Sequence, residues 1–93
     1  MIHKLKIKEE YANAICGNVK HFEIRKNDRD YKIGDILTFE VIDSEKYNDI
    51  EGRAYFISYL LTHNDFPEGI CEGYCVLSLA RLTTQKFGVI QNE

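Results

Sequence analysis

The sequence predicts a mainly β (α+β) domain, a small β-barrel or curled sheet of about five to six strands with one helix after the first strand covering its mouth. Two observations predict this fold. Short segments of strand-like alternation recur along the chain, and most are joined by polar segments of hairpin length. Hydrophobic residues make up 44% of the 93 residues, enough for the core of one domain but not of two. We therefore predict a single domain over residues 1–93.

Five segments have the alternation or the apolar content of strands. In the first, His3, Leu5 and Ile7 share one face. The fourth is a long apolar run with four aromatic or β-branched residues, which predicts a strand covered on both faces. The predicted strands are Ile2–Lys8, a segment through Phe22–Arg25, Ile36–Asp43, Arg53–Leu61 and Tyr74–Leu82. Loops are predicted at Ser44–Gly52 and Thr62–Gly73, and Thr83–Glu93 is either a final short strand or a frayed tail.

The helix is predicted over Glu9–Cys16. Acidic residues occupy its first turn, and Gly17 is expected to stop it. Because Tyr11, Ala14 and Ile15 lie at helical spacing, we expect them to form its buried face.

The charges are distributed unevenly along the chain. The net charge is −3, but residues 1–35 hold eight Lys/Arg against six Asp/Glu, and residues 36–93 hold four against nine. Non-specific nucleic-acid binding requires many neutralised phosphates, so the acidic total argues against a protein that coats DNA or RNA. A small local basic site is compatible with this distribution.

The sequence predicts a cytoplasmic protein that does not bind membranes and is a monomer by default. No apolar run approaches the roughly eighteen residues of a membrane helix, and the first residues lack the apolar core of a signal peptide. Cys16, Cys71 and Cys75 form no paired framework, which indicates reduced thiols. Cys71 and Cys75 are one loose pair, too few ligands for zinc, so we predict no metal and no cofactor.

The segment from Lys20 to Asp35 holds five basic and four acidic residues among few apolar ones. Strand alternation places Phe22 and Ile24 on one face and Glu23 and Arg25 on the other, where the two charges can interact. Two turn-forming pairs follow before the next strand: Asn27-Asp28 and Gly34-Asp35. The pattern predicts a strand, a structured charged loop and a second strand.

Packing explains several candidate binding residues at least as well as a ligand does. A lone histidine carries little specificity, so His3 is favoured as a hydrogen-bonded histidine at the end of the core. Tyr31 and Tyr59 could stack on bases, but core or rim packing is the favoured role. Glu23 and its cations could be an ion pair that fixes a strand. An exposed pair contributes only about 0 to 1 kcal/mol, however, whereas a partly buried pair costs desolvation and is retained for a ligand or for specificity.

Several motifs resemble the ASCH domains of the PUA-like superfamily, in particular a small branch found in bacteria and their phages. The main motif is Gly17 followed by Lys20-His21-Phe22-Glu23-Ile24-Arg25-Lys26-Asn27-Asp28-Arg29-Asp30-Tyr31 and then by Gly34-Asp35-Ile36-Leu37. Weaker pieces are His3-Lys4-Leu5-Lys6-Ile7, Gly52-Arg53, Gly69, Gly73-Tyr74 and Val76-Leu77-Ser78. The resemblance covers nearly the whole chain up to about Leu82.

The resemblance implies a PUA-like pseudobarrel with the helix beside a cleft that binds RNA or a nucleotide-like ligand. Carried over residue by residue, Lys20, Glu23 and Arg25 would form the cleft, with Arg29 and Asp30 on its rim. The arginines would contact phosphate or base edges, which suit guanidinium forks. The binding candidates are Lys20, Glu23, Arg25, Arg29, Asp30 and His3.

The entrance of the motif departs from the family pattern. Two residues, Asn18 and Val19, separate Gly17 from Lys20, where the family commonly has one. His21 takes the position of a family Thr. These differences concern the geometry of the loop that leads into the cleft.

Hydrolysis of a modified nucleoside is the competing hypothesis. Amidohydrolases similar to the family deacylate N4-acylated cytidine with a Lys, a Thr nucleophile and a Glu. Lys20 matches their Lys, but Glu23 stands where the Thr would be, and a carboxylate is not the same acyl acceptor. Glu23 as general base on water, with Lys20 or Arg25 stabilising an oxyanion, is a different route. Nothing in the spacing requires either reaction, and a protein-binding regulatory module is the third hypothesis.

Overall fold

The computed structural model describes residues 1–84 and 90–92. One helix follows the first strand, and the strands form a single sheet in the order β1-β3-β4-β5-β2, with β6 paired to β5. The sheet is a curled half-barrel, as the sequence predicts. The elements are β1 Ile2–Ile7, α1 Glu9–Cys16, β2 Phe22–Lys26, β3 Ile36–Val41, β4 Ala54–Thr62, β5 Tyr74–Thr84 and β6 Ile90–Asn92.

Strand β1 pairs in parallel with β3, whereas β2 pairs antiparallel with β5. β1 and β2 are therefore the two ends of the five-strand path. Two arginine side chains from the β2 side connect these ends: Arg25 Nη2 donates to the Lys6 carbonyl at 2.6 Å, and Arg29 Nη1 donates to the Lys4 carbonyl at 3.2 Å. The curl of the sheet thus brings the charged segment against β1.

The core consists of the inward faces of the strands and one face of the helix. The alternation predicted for β1, β3 and β5 is confirmed, because every second side chain is buried. Their inward residues are His3, Leu5, Ile7, Leu37, Phe39, Val41, Cys75, Leu77 and Leu79.

The bounds of α1 are confirmed, and its predicted buried face is right for Ile15 but wrong for Tyr11. Ala12 and Ile15 are buried and Cys16 packs against the core, whereas Tyr11 is 43% exposed. The predicted set and the observed set both have i, i+3, i+4 spacing, so periodicity does not distinguish them. The predicted set is Tyr11, Ala14 and Ile15, and the observed set is Ala12, Ile15 and Cys16. Ala12 allows a close approach of the helix, and the Tyr11 ring instead contacts the Lys20 ammonium group.

The residues after α1 place Lys20 beside the helix. The helix stops before Gly17 as predicted, but Gly17 has φ −77, and Asn18 takes the left-handed conformation with φ 61. Asn tolerates this region better than most residues. The backbone N–H groups of Val19 and Lys20 both donate to the Ala14 carbonyl, at 3.0 and 3.1 Å. This compact exit fixes the start of β2.

One predicted loop and one predicted strand differ in part from expectation. The segment predicted as a loop over Ser44–Gly52 ends in a 3-10 helix, Asp49–Gly52, whose Ile50 is fully buried. Strand β4 has a register shift between Ile57 and Tyr59, after which Tyr59 faces solvent, so the prediction that both faces are covered is wrong there. Residues 63–73 are irregular, as predicted. Within the C-terminal segment, the described residues 90–92 form β6, and residues 85–89 and 93 lie outside the described residues.

Candidate ligand-binding cleft

Glu23 is a carboxylate that faces the interior of the sheet. Along β2, Phe22 and Ile24 are exposed, whereas Glu23 is only 5% exposed and pairs in register with buried Leu77. The predicted alternation holds, but the charged face is the inward one. A buried carboxylate is costly unless it is paired and hydrogen-bonded.

Both carboxylate oxygens of Glu23 have cationic partners. Lys20 Nζ contacts Oε1, and Arg25 donates from Nε to Oε2 at 2.9 Å, with Nη2 also 2.9 Å from Oε2. The Lys20 ammonium lies 5.2 Å from the centre of the Tyr11 ring and 4.9 Å from that of Phe22. These distances are within the range of cation–π attraction. The structure therefore brings together the three residues that the sequence placed in one cleft.

Two neighbouring depressions of about 330 and 290 Å³ lie over this cluster and share Tyr11, Glu23 and Ile24. Lys20 and Phe22 complete the first, and Arg25 lines the second. We use "the cleft" for both depressions together. It offers aromatic faces, five basic residues and the Glu23 carboxylate, whose oxygens already have partners in Lys20 and Arg25. The basic residues are Lys6, Lys8, Lys20, Arg25 and Lys26.

Arg29 and Asp30 lie away from Glu23. Arg29 contacts β1 through the Lys4 carbonyl. Asp30 has φ 50, and its 88% exposed side chain pairs with Lys32 at 3.4 Å. Such an exposed pair contributes little to stability, and Asp30 lines neither depression of the cleft.

His3 belongs to a separate buried cluster. Its Nε2 lies 2.8 Å from Asp35 Oδ2, and its ring packs edge-on against buried Tyr31 at 4.8 Å. The hydrogen bond from His3 is the main cause that lowers the pKa of Asp35. Burial acts in the opposite direction, and the Lys32 N–H, at 3.1 Å, helps to lower it. Sequence reasoning assigned Asp35 only to a turn, because its pairing with His3 depends on the parallel β1–β3 contact.

A second cavity of about 190 Å³ lies on another side of Lys20, and sequence reasoning missed it. We call it the Arg53 cavity. Tyr55 and Arg81 face each other in the β4–β5 register. One feature of the sequence could have indicated this cavity. The inward residues of β5 alternate through Leu79, and the next position in the alternation is the charged residue Arg81. The residues that line the cavity are Ile15, Cys16, Asn18, Lys20, His21, Arg53, Tyr55, Leu79 and Arg81.

The cysteines provide no metal centre in the described part of the chain. Cys75 is buried, which raises the pKa of its thiol, whereas Cys71 is exposed. Across residues 1–84 and 90–92, no group of three or more His, Cys, Asp or Glu side chains is arranged to hold a metal ion. Over the same residues, no helix is long and apolar enough to cross a bilayer.

Comparison with known families places the chain by sequence. The model of a family described as Domain of unknown function (DUF3850) matches residues 2–79. That range covers most of the 93 residues, so the chain belongs to this family. The matched range contains every residue that lines the cleft, whereas Arg81 of the Arg53 cavity lies beyond that range. A search of curated proteins gives no match.

Proposed function

We propose that this member of the DUF3850 family is a PUA-like, ASCH-type domain that binds RNA or a nucleotide-like ligand in the cleft. The observation that carries the proposal is the buried Glu23 carboxylate, held between two cations at the floor of a concave surface. A hydrophobic residue of similar volume would often give equal or greater stability. The charged cluster is therefore better explained by recognition than by stability.

The exposed aromatic rings beside the cluster provide surfaces on which a base could stack. Phe22 is 44% exposed, and its ring lies next to the Lys20 ammonium, as does that of Tyr11. Base–aromatic stacking tolerates any sequence because every base has a π face. A base stacked on Phe22 would bring its hydrogen-bonding edge towards the guanidinium of Arg25, whose side chain is 21% exposed.

The geometry favours binding over hydrolysis. A general base needs a carboxylate oxygen within reach of water, but Lys20 engages one oxygen of Glu23 and Arg25 engages the other. Hydrolysis would also require a water molecule to reach this carboxylate, and Glu23 is only 5% exposed. We therefore propose a binding domain. The three free cysteines support a reducing compartment, so we also propose that it acts in the cytoplasm.

An NMR titration of labelled protein with short RNAs and nucleosides tests the proposal. We expect saturable shifts centred on Lys20, Glu23 and Arg25. Replacing Phe22 by Leu keeps an apolar side chain but removes the π face, and it should weaken binding roughly fivefold. Arg25→Gln should also weaken binding, and its circular dichroism spectrum would reveal any loss of fold.

Tyr47→Leu is the matched control, because Tyr47 is an exposed aromatic residue in the loop between β3 and the 3-10 helix and does not line the cleft. Equal affinities for Phe22→Leu, Arg25→Gln and Tyr47→Leu would contradict the proposal. Following N-acylated nucleosides over time separates binding from turnover. Absence of shifts in the cleft at millimolar ligand would direct the search to protein partners.

A further inference from the structure

The Arg53 cavity is electropositive. Lys20, His21, Arg53 and Arg81 all line it, and no carboxylate does so among the described residues. Glu23 balances part of the charge of Lys20 from the cleft side. The contact with the Tyr55 hydroxyl is the main cause that raises the pKa of the Arg53 guanidinium; burial lowers this pKa, and Asp49 contributes last among the groups that raise it. The cavity wall itself presents cations, so an anion is the complementary ligand.

The Tyr55 hydroxyl is a second feature of the cavity that suits a ligand, because it is a buried hydrogen-bonding group at the wall. Tyr55 is 4% exposed, and no described residue makes a hydrogen bond of ordinary geometry to its buried oxygen. Arg53 makes a loose hydrogen-bonding contact with this hydroxyl, and Cys16 and Arg81 are electrostatic neighbours. All of these residues line the cavity, which places the hydroxyl at its wall. A buried polar group without a partner costs free energy that a ligand can recover.

The cavity size and charge specify the group that would bind. About 190 Å³ is below the roughly 300 Å³ at which pockets for drug-sized ligands begin, so the cavity suits one chemical group. A phosphate monoester carries about −1.5 to −2 charges at pH 7 and three strong acceptor oxygens. An internal phosphodiester carries one charge and would leave more of the positive wall unbalanced.

We propose that the Arg53 cavity binds a terminal phosphate monoester, with Arg53 and the Tyr55 hydroxyl donating to its oxygens. Burial raises the pKa of Tyr55, so the hydroxyl keeps its proton at neutral pH and can donate it. Lys20 lines both the cavity and the cleft. A nucleotide could therefore place its phosphate in the cavity while its base lies in the cleft. Only this last step rests on the proposed function.

Inorganic phosphate tests the cavity alone, because it has no base to occupy the cleft. Titrated at constant ionic strength against chloride, it should give saturable amide shifts at Asn18, Tyr55 and Arg81. Arg53→Gln and Tyr55→Phe should each weaken phosphate binding about tenfold, since each removes a hydrogen bond to a charged group. Lys4→Gln is the matched control for charge, because Lys4 is exposed on β1 and lines no part of the cavity.

Unsaturated or absent shifts with both phosphate and nucleoside monophosphates would overturn the proposal. Equal weakening by Arg53→Gln and Lys4→Gln would also overturn it, because only net charge would then matter. RNA with a 5′-phosphate should bind more tightly than the same RNA with a 5′-hydroxyl, and equal affinities would exclude the monoester. Phe22→Leu separates the two proposals, since it should weaken nucleoside binding in the cleft and leave inorganic phosphate binding unchanged.

Discussion

The cleft and the Arg53 cavity both contain buried polar groups, but the protein satisfies them to different degrees. In the cleft, each oxygen of Glu23 already has a cation. In the cavity, the Tyr55 hydroxyl has no hydrogen bond of ordinary geometry to a described residue, and the four basic residues of the wall have no described carboxylate beside them in the lining. In the cleft, a ligand must compete with Glu23 for Lys20 and Arg25, whereas in the cavity it would supply a hydrogen-bond partner for the Tyr55 hydroxyl.

This difference separates two roles of buried polarity. A satisfied ion cluster holds its side chains in fixed positions, and part of its value is the connection that Arg25 makes to β1. An unsatisfied buried hydroxyl lowers the stability of the free protein, and a ligand that accepts its hydrogen bond would recover this free energy on binding. Stability measurements should therefore distinguish the two regions before any ligand is known.

Glu23→Gln should have the largest effect. It leaves Lys20 and Arg25 without their shared anion, although both are mostly buried, with side-chain exposures of 16% and 21%. Removing one member of a buried ion pair costs about 3 to 5 kcal/mol, and the partial exposure of the cations favours the lower end. Urea unfolding measures the change. Glu40→Gln, exposed on β3, is the control and should change stability by less than about 0.5 kcal/mol. Equal stability of the two variants would show that the cluster is not structural.

Asp35→Asn should have an intermediate effect and provides a reference carboxylate outside both regions. Loss of its charged hydrogen bonds to His3 and the Lys32 N–H should cost about 1 to 3 kcal/mol near neutral pH. Because folding lowers the pKa of Asp35, its contribution is present above the unfolded pKa of about 3.9 and is lost as the pH falls through the folded pKa.

Thermal unfolding over a pH series measures this dependence. The gap between the natural protein and Asp35→Asn should narrow below about pH 4. The exposed Asp30→Asn serves as control and should show no gap of comparable size. A gap that stays constant on acidification would contradict a folded-state pKa below the usual value.

Tyr55→Phe should have the smallest effect, and in the opposite direction. Removing a buried hydroxyl without a hydrogen bond should leave stability unchanged or raise it by about 1 kcal/mol. Tyr59→Phe, at an exposed tyrosine on β4, should stay within about 0.5 kcal/mol of the natural protein. A loss above about 1 kcal/mol for Tyr55→Phe would show that the hydroxyl is satisfied in the free protein, and the contrast between the two regions would fail.

Features that depend on local pattern were predictable from the sequence. The helix bounds and the inward faces of β1, β3 and β5 follow from residue period, because burial of one face selects one register. Strand alternation predicted the proximity of Glu23 and Arg25, and the resemblance to ASCH domains predicted that Lys20 joins them. Ile50 was missed because one apolar residue in a polar loop has no periodic context.

The sequence by itself determined the strands, the helix and the presence of a charged motif on β2, because these depend on neighbours in the chain. Only the tertiary structure decided which face of β2 is buried, which of two equivalent faces of α1 meets the core, and that His3 reaches Asp35. It also decided that Arg53, Tyr55 and Arg81 surround one cavity. Those arrangements depend on strand order and on the curl that brings β1 towards β2, and contacts between distant segments leave no periodic signal in a single sequence.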